Sequence, residues 1–288
     1  FLYKEDIHAV YSSLETKHGK ISLQAGMRYE YTRYNAHQLG NQQQKDSAFS
    51  RNYGGLFPSG YFSYEADSSN TLTLTAGRRL ERPPFQVLNP VTSVVNKYTF
   101  QSGNPYIIPQ YSTNIELSHQ YKQLLTTAIS YSTVKNYFSQ IFLNDTITGL
   151  LYYSQGNVGR THTLGLSATL MLSPVKWWSF TLQAIYNHKE LKGFNEDTNF
   201  QSAINQVNLN MNNQFSFAKI YTGEISGFYT TRARNDIQEL LYPIGQFSFG
   251  IRRPELKKIG PLKLSVRELL HTNGVEGLTA FRGHTEDC

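Results

Sequence analysis

The run Ile21-Ser22-Leu23-Gln24-Ala25-Gly26-Met27-Arg28-Tyr29-Glu30-Tyr31-Thr32 decides the fold class. Its odd-numbered positions are Ile, Leu, Ala, Met, Tyr and Tyr; its even-numbered positions are Ser, Gln, Gly, Arg, Glu and Thr. Successive side chains of a strand point to opposite faces, so this strict period of two means one apolar and one polar face. Arg28 and Glu30 stand two apart on the polar face, where they can pair. The alternation returns over 114–121, where Ile115, Leu117, His119 and Tyr121 face Asn114, Glu116, Ser118 and Gln120. It returns again over 163–172, with Met171 as the exception, over 206–212 and over 262–267.

Working outward, helical periodicity is nearly absent, and Asn, Thr, Ser, Tyr and Phe fill the segments between turns. The pattern predicts about twelve strands, near 5–15, 20–34, 56–66, 71–81, 112–121, 125–135, 162–172, 178–188, 203–215, 220–231, 242–252 and 262–271. Their connections alternate between short and long. The long ones fall at 35–55, 82–111, 136–161, 189–202 and 232–241. An antiparallel up-and-down meander does this when one rim is trimmed and the other elaborated, and loops of such length normally carry a function.

Composition narrows the class. Among 288 residues, 17% are charged and 14% aromatic, and the net charge is +6, from 27 Lys and Arg against 21 Asp and Glu. The aromatic and aliphatic load excludes disorder. No run of ~18 apolar residues exists to cross a membrane as a helix. The only cysteine, Cys288, excludes a disulfide scaffold. The basic residues are scattered, so no nucleic-acid footprint is legible.

Alternation alone leaves open which face is wet. A soluble barrel buries its apolar face inside; a transmembrane barrel turns it to lipid and keeps a polar lumen. Three features favour the membrane. The strands are long enough to cross a bilayer at a tilt. A soluble barrel of this strand number would have a wide interior to fill. Aromatic residues gather at strand ends: Trp177 and Trp178 at one end, and Tyr29, Tyr31, Tyr34 and Tyr229 at the other. Arg28, Glu30, Lys263 and Arg267 all avoid the apolar parity, where a basic side chain at mid-membrane would cost ~2–4 kcal/mol. The predicted fold is therefore all-β: an antiparallel up-and-down transmembrane β-barrel, partial, with about 12 strands of a larger barrel. Residues 1–272 are expected to belong to it. Residues 273–288, which lack alternation, are expected to form an irregular tail, truncated or non-native.

The densest punctuation lies in 82–111, RPPFQVLNPVTSVVNKYTFQSGNPYIIPQY, which reads first as a rigid rim loop and second as a binding surface. Here the chain resembles an outer-membrane β-barrel family common in Bacteroidetes, whose barrels look like those of TonB-dependent receptors. The resemblance rests on Phe57-Pro58-Ser59, the strand end with Arg78 through Arg82-Pro83, Leu88-Asn89-Pro90, Gly103-Asn104-Pro105 with Pro109, and Asn114-Ile115-Glu116-Leu117. Weaker echoes are Asn157-Val158-Gly159, the Trp177-Trp178 pair and 262–272. Gln110 departs from the Glu usual in the family. The resemblance marks Arg78, Pro83, Asn89, Pro90, Gly103, Pro105 and Glu116 as motif residues. It implies an internal piece covering about half of a 22-stranded barrel, with the plug and TonB-contacting regions N-terminal to it.

What the resemblance implies about function is import of a nutrient, of siderophore, glycan or peptide class, through a plugged lumen in the cell outer membrane. Partners would be outer-membrane lipid and lipopolysaccharide, the TonB energy complex through the N-terminal region, and the nutrient itself. Ligand contacts are expected from Arg82, Tyr98, Asn104 and Tyr106. The alternative is a non-transporting structural or adhesive barrel. No metal-ligand spacing, nucleotide loop or hydrolase motif occurs, so no enzyme, metal or cofactor is nominated. The acidic residues Asp145, Glu196, Asp197, Asp236 and Glu239 read as solvated loop positions.

Overall fold

The computed structural model describes residues 2–39, 46–145, 149–195, 198–217, 220–234, 239–256, 260–270, 272–274, 276–281 and 284–287. Cys288 and the acidic residues Glu196, Asp197 and Asp236 lie outside them. In chain order the elements are β1 (Leu2–His18), β2 (Ile21–Gln38), β3 (Ser47–Glu65), β4 (Asn70–Glu81), α1 (Phe85–Leu88), β5 (Ser93–Asn96), β6 (Thr99–Gln101), β7 (Gln110–Tyr121) and β8 (Leu125–Asp145). They continue with β9 (Leu150–Val175), β10 (Trp178–Asn195), β11 (Thr198–Phe217), β12 (Tyr221–Thr230), β13 (Ala233–Arg234), β14 (Glu239–Leu241), β15 (Ile244–Leu256), β16 (Gly260–Val266), β17 (Gly277–Phe281) and β18 (His284–Asp287).

Among the described residues, one sheet follows the order β1-β2-β3-β4-β7-β8-β9-β10-β11-β12-β15-β16, every neighbouring pair antiparallel. These are the twelve strands that the alternation predicts, in meander order. The path does not return from β16 to β1, so the sheet is not closed.

Register turns the alternation into two surfaces. One row of mutually paired residues runs Leu23, Phe62, Leu74, Leu117, Ile129, Leu166, Tyr186 and Val207 across β2 to β11. The adjacent row on the opposite face runs Gln24, Tyr61, Thr75, Glu116, Ser130, Gly165, Asn187 and Gln206. The apolar row is the one left bare: Leu117 is 50% exposed, Ile129 54% and Leu166 44%. A soluble sheet would hide these side chains against a second layer. Here the apolar face looks outward, as a lipid-facing wall does. The polar face is the concave one. Thr169, Gln183, Asn210, Ser226, Gln246 and Ser248, from five consecutive strands of the sheet, line one hollow of about 470 Å3.

The short turns have local causes. Gly19, at φ +56°, sits in the two-residue connection of β1 to β2, where a left-handed residue matches the strand twist. Asp67 closes the next one. Its carboxylate accepts hydrogen bonds from the Asn70 side chain (2.9 Å) and from the Ser69 backbone N–H (2.7 Å), which hold its pKa below the usual carboxylate range. At the same rim, Trp178 stacks on Phe215 with centroids 6.2 Å apart and Phe217 on Tyr221 at 5.6 Å, forming an aromatic belt.

The structure corrects the rim in three ways. The expected long connections 35–55, 136–161 and 189–202 are mostly strand: β2 runs on to Gln38, β8 to Asp145, β9 starts at Leu150, β10 runs to Asn195 and β11 starts at Thr198. Above the hydrocarbon both faces of a strand are wet. The period-two signal fades there while backbone pairing goes on. The last strand of the sheet, expected over 262–271, ends at Val266, and Glu268 takes φ +60°. Beyond it, the tail expected to be irregular contributes β17 and β18 to a second sheet, β13-β14-β17-β18. It gains backbone partners from the Glu239–Leu241 edge, which needs no side-chain alternation.

Arginine placed on each face separates the two surfaces. Leu117→Arg is expected to destabilise the protein in lipid vesicles by ~2–4 kcal/mol, and the neighbouring Ser118→Arg by less than about 1 kcal/mol. Urea unfolding followed by heat-modifiable gel mobility measures both.

Candidate functional site: a strap across the polar face

Between β4 and β7 the chain crosses the upper part of the polar face as a strap, residues 82–109. Its first anchor is Arg82. Glu30 and Thr32 lie on the polar face of β2, and both are buried. Arg82 Nη2 donates to Glu30 Oε1 and to Thr32 Oγ1, the latter at 3.1 Å, while its Nε lies 3.5 Å from Glu5 Oε1. Arg28 Nε donates to the other oxygen of Glu30 at 2.8 Å, the pairing that the sequence suggested. A buried carboxylate is tolerable when it is paired, and Glu30 is held between two guanidiniums.

Next come Pro83, which is buried, and α1, a single turn entered from Pro84. Phe85 packs edge-on to Tyr3 (5.5 Å between centroids), and Tyr3 lies 5.6 Å from Tyr34. The strap then folds on itself. Gly103 N donates to Asn89 O (2.9 Å), Asn104 N to Val87 O (2.7 Å), and Val91 N to Asn89 Oδ1 (3.2 Å) across Pro90. A Cβ on Gly103 would overlap the carbonyl oxygens of Asn89 and Val87, so only glycine fits this crossing.

The far anchor is the upper part of β8 and β9. Asn104 Nδ2 donates to Gln155 O (3.0 Å), and its Oδ1 accepts from Tyr106 N (2.9 Å). Asn157 Nδ2 donates to Ile108 O (2.9 Å) and Asn136 O (2.7 Å), and its Oδ1 accepts from Ile108 N (2.8 Å). β6 adds a parallel pairing to Leu151–Tyr153 of β9, above the point where β10 ends its own pairing at Gly193↔Gly159. Gln110 closes the strap: its Nε2 donates to Glu81 Oε2 (2.6 Å) and its Oε1 accepts from Phe138 N (3.2 Å). A glutamate could not donate to Glu81, which accounts for the amide at this position.

The four expected ligand residues are therefore placed differently. Arg82 and Asn104 spend their polar atoms on the protein itself. Tyr98 and Tyr106 are exposed, at 61% and 70%, with Lys97 Nζ 5.4 Å from the Tyr98 ring centre and Arg51 Cζ 5.9 Å from that of Tyr106. Among the motif residues, Pro83, Asn89, Pro90, Gly103 and Pro105 build the strap. Arg78 lies over the Tyr111 ring at 5.1 Å, and Glu116 stands in the polar row. Among the described residues, no group of three or more His, Cys, Asp or Glu is placed to hold a metal.

A sequence profile described as the outer membrane protein beta-barrel family matches residues 1–285. The chain belongs to this family. No curated protein sequence matches it. Among solved structures, the copper transporter OprC superposes with a TM-score of 0.69 at 13% identity, over 92% of this chain and 42% of that one. The hemophore receptor HasR of Serratia marcescens, in complex with its hemophore HasA and heme, gives 0.61 at 14% identity, over 98% and 50%. The ferric enterobactin receptor PfeA of Pseudomonas aeruginosa gives 0.57 at 15% identity, over 93% and 49%. At these identities the likeness is one of fold alone, while membership of the family locates the chain in the outer membrane. The chain spans about half or less of the length of each structure.

Sequence reasoning missed the part played by Glu30 and Asn157. Glu30 looked satisfied by Arg28, and its long-range partner Arg82 is 52 residues away. Asn157 stood in view as the weak Asn-Val-Gly echo, but its contacts are all to backbone, which leaves no pairing pattern in the sequence.

Glu30→Ala leaves Arg82 without its main counter-charge and is expected to cost about 3 kcal/mol at this anchor. Gly103→Ala is expected to spring the strap from its crossing. In both variants, limited proteolysis should cut within 85–103 while the barrel keeps its heat-modifiable gel mobility; the unmodified strap should resist.

Proposed function

We propose that this family member is the barrel part of a nutrient importer, whose complete protein carries a plug and draws on a TonB-type energy complex of the inner membrane. The observation that supports this most is the polar, concave face, lined by Ser, Thr, Asn and Gln across the sheet and crossed by a rigid strap. A purely structural wall has no use for so continuous a wetted surface. The solved neighbours carry transporter and receptor names. The cargo belongs to the siderophore, glycan or peptide class. Tyr98 and Tyr106 of the strap meet it, and Arg82 and Asn104 hold the strap in position. Tyrosine rings offer broad stacking area at low entropic cost, which suits a polar cargo with flat or ring-bearing faces.

Cells expressing the complete protein are expected to accumulate one member of a labelled panel of ferric siderophores, heme, oligosaccharides and peptides. A protonophore that collapses the inner-membrane gradient should abolish that accumulation. Tyr98→Ala with Tyr106→Ala should weaken surface binding of the same compound about tenfold. Binding or adhesion without gradient-dependent uptake of any compound would establish the non-transporting, structural or adhesive reading instead.

A further inference from the structure

β11 carries an amide at five successive positions of its polar face: Gln206, Asn208, Asn210, Asn212 and Gln214. Asparagine is disfavoured in strands, where its short side chain competes for backbone hydrogen bonds. A wall that merely had to be wet would carry Thr or Ser at these places. Pairing with β10 runs from Trp178↔Phe215 to Asn195↔Thr198 without a register shift, so the five side chains stand in a fixed column. They are ~7 Å apart along the strand, and the column is ~27 Å long, most of the apolar band of ~25 Å once strand tilt is allowed for.

The surroundings of the column are nearly uncharged. Asn208 is flanked by Ile185 and Thr230, Asn210 by Gln183 and Phe228, Asn212 by Thr181 and Ser226, and Gln214 by Ser179 and Glu224. Among the described residues, Glu224 is the one charged group at these levels of β10, β11 and β12, and it accepts from Asn212 Nδ2 at 2.9 Å. The polar face of β2, β4 and β7 is different in kind: it bears Arg28, Glu30, Arg79, Glu81 and Glu116. The lumen therefore has a charged side, to which the strap is tied through Arg82, and a neutral side built on β11.

The amides keep hydrogen-bonding capacity to spare. Gln206 Nε2 donates to Asn208 Oδ1 (3.1 Å) and Asn210 Nδ2 to Gln183 Oε1 (3.3 Å). Each of these bonds uses one donor of a group that has two donors and two acceptor lone pairs. Asn210, Asn212 and Gln183 also border the open hollow of about 470 Å3, and no residue of the strap lines it.

We propose that the amide ladder of β11, with Gln183 beside it, is a specificity-determining track inside the lumen, which takes uncharged cargo bearing hydroxyl or amide groups and passes it from level to level. This rests on the import reading above. A hydroxyl or amide both donates and accepts, as the ladder does, so it finds a partner at every level. Each such contact replaces one with water, and the net gain at a single level is small. Passage requires that weakness, because a site that holds tightly does not release. A carboxylate or phosphate meets no cation along the ladder to offset its lost hydration, so anionic cargo is turned away.

Titration of the complete protein in detergent tests the track, with maltohexaose and hexagalacturonate as probes, oligomers of equal length without and with carboxylates. The parent for these titrations carries Tyr98→Ala and Tyr106→Ala, which removes binding at the strap. Maltohexaose should bind with a Kd of about 1 mM, and hexagalacturonate about tenfold more weakly. Asn208→Ala, Asn210→Ala and Asn212→Ala together should weaken maltohexaose about tenfold. Asn210→Gln, which keeps the amide, should stay within about twofold, as should Gln24→Ala with Thr75→Ala on the other side of the lumen. Asn210→Ala alone gives the comparison if the triple variant fails to shift on a heated gel. In cells with the strap intact, the triple variant should accumulate a transported compound about tenfold more slowly while binding it at the surface within about twofold of the unmodified protein. An unmodified protein that accumulates nothing overturns the import reading. Equal titration of the parent and the triple variant, or equal binding of the two probes, overturns the track. New sensitivity of the triple variant to vancomycin with an unchanged titration also overturns it, in favour of amides that seat a plug.

Discussion

Hydrocarbon offers no water to satisfy a peptide group, so every N–H and C=O that enters it must find a partner within the protein. Ladders between chain neighbours meet that demand for the strands between β1 and β16, in meander order, and leave the outer edges of those two strands open. Everything else follows from the geometry it imposes. Side chains can then only alternate, and the wall acquires one greasy and one watery surface. Leu, Ile and Phe occupy one parity, and Ser, Thr, Asn and Gln the other. Stability comes from ladder pairing and from lipid contact rather than from a central core. Among the described residues the buried apolar side chains are few, Leu88 and Ile107 of the strap and Tyr34, Val158 and Leu191 of the wall among them.

The strap solves a second problem. A segment of some 28 residues without long strands of its own would be floppy on a barrel rim. Here it is pinned at one end by a carboxylate between two guanidiniums and at the other by an asparagine that bonds only backbone. It is further threaded by a parallel strand on the edge of β9. The prolines limit how the chain can rearrange between those anchors, and Gly103 permits the close crossing in the middle. The outcome is a platform whose exposed rings, Tyr98 and Tyr106, are presented in a defined position.

The twelve strands of the wall could be read because lipid enforces alternation within the membrane. Residues 21–32 and 114–121 carry that enforcement in almost every position. The rim was read less well for the same reason. Residues 136–145 and 150–161 continue β8 and β9, but no greasy solvent sorts their faces, and their composition resembles that of a loop. The strap's rigidity was legible from its prolines and from Gly103. The anchoring inside it was not: Arg82 and Asn104 bond partners 50 or more positions away, which no local pattern announces. The tail after 272 has no pattern because its strands pair through backbone at the rim.

The alternating wall also governs how such a chain can reach its destination. Because every second residue is hydrophilic, mean hydropathy is −0.44, and no stretch reads as a membrane-spanning helix. Machinery that exports unfolded polypeptides across an inner bilayer would find no stop signal in it and would let it through. The hydrophobic surface comes into being only when neighbouring strands assemble, so the protein is greasy as a folded wall and inconspicuous as a thread.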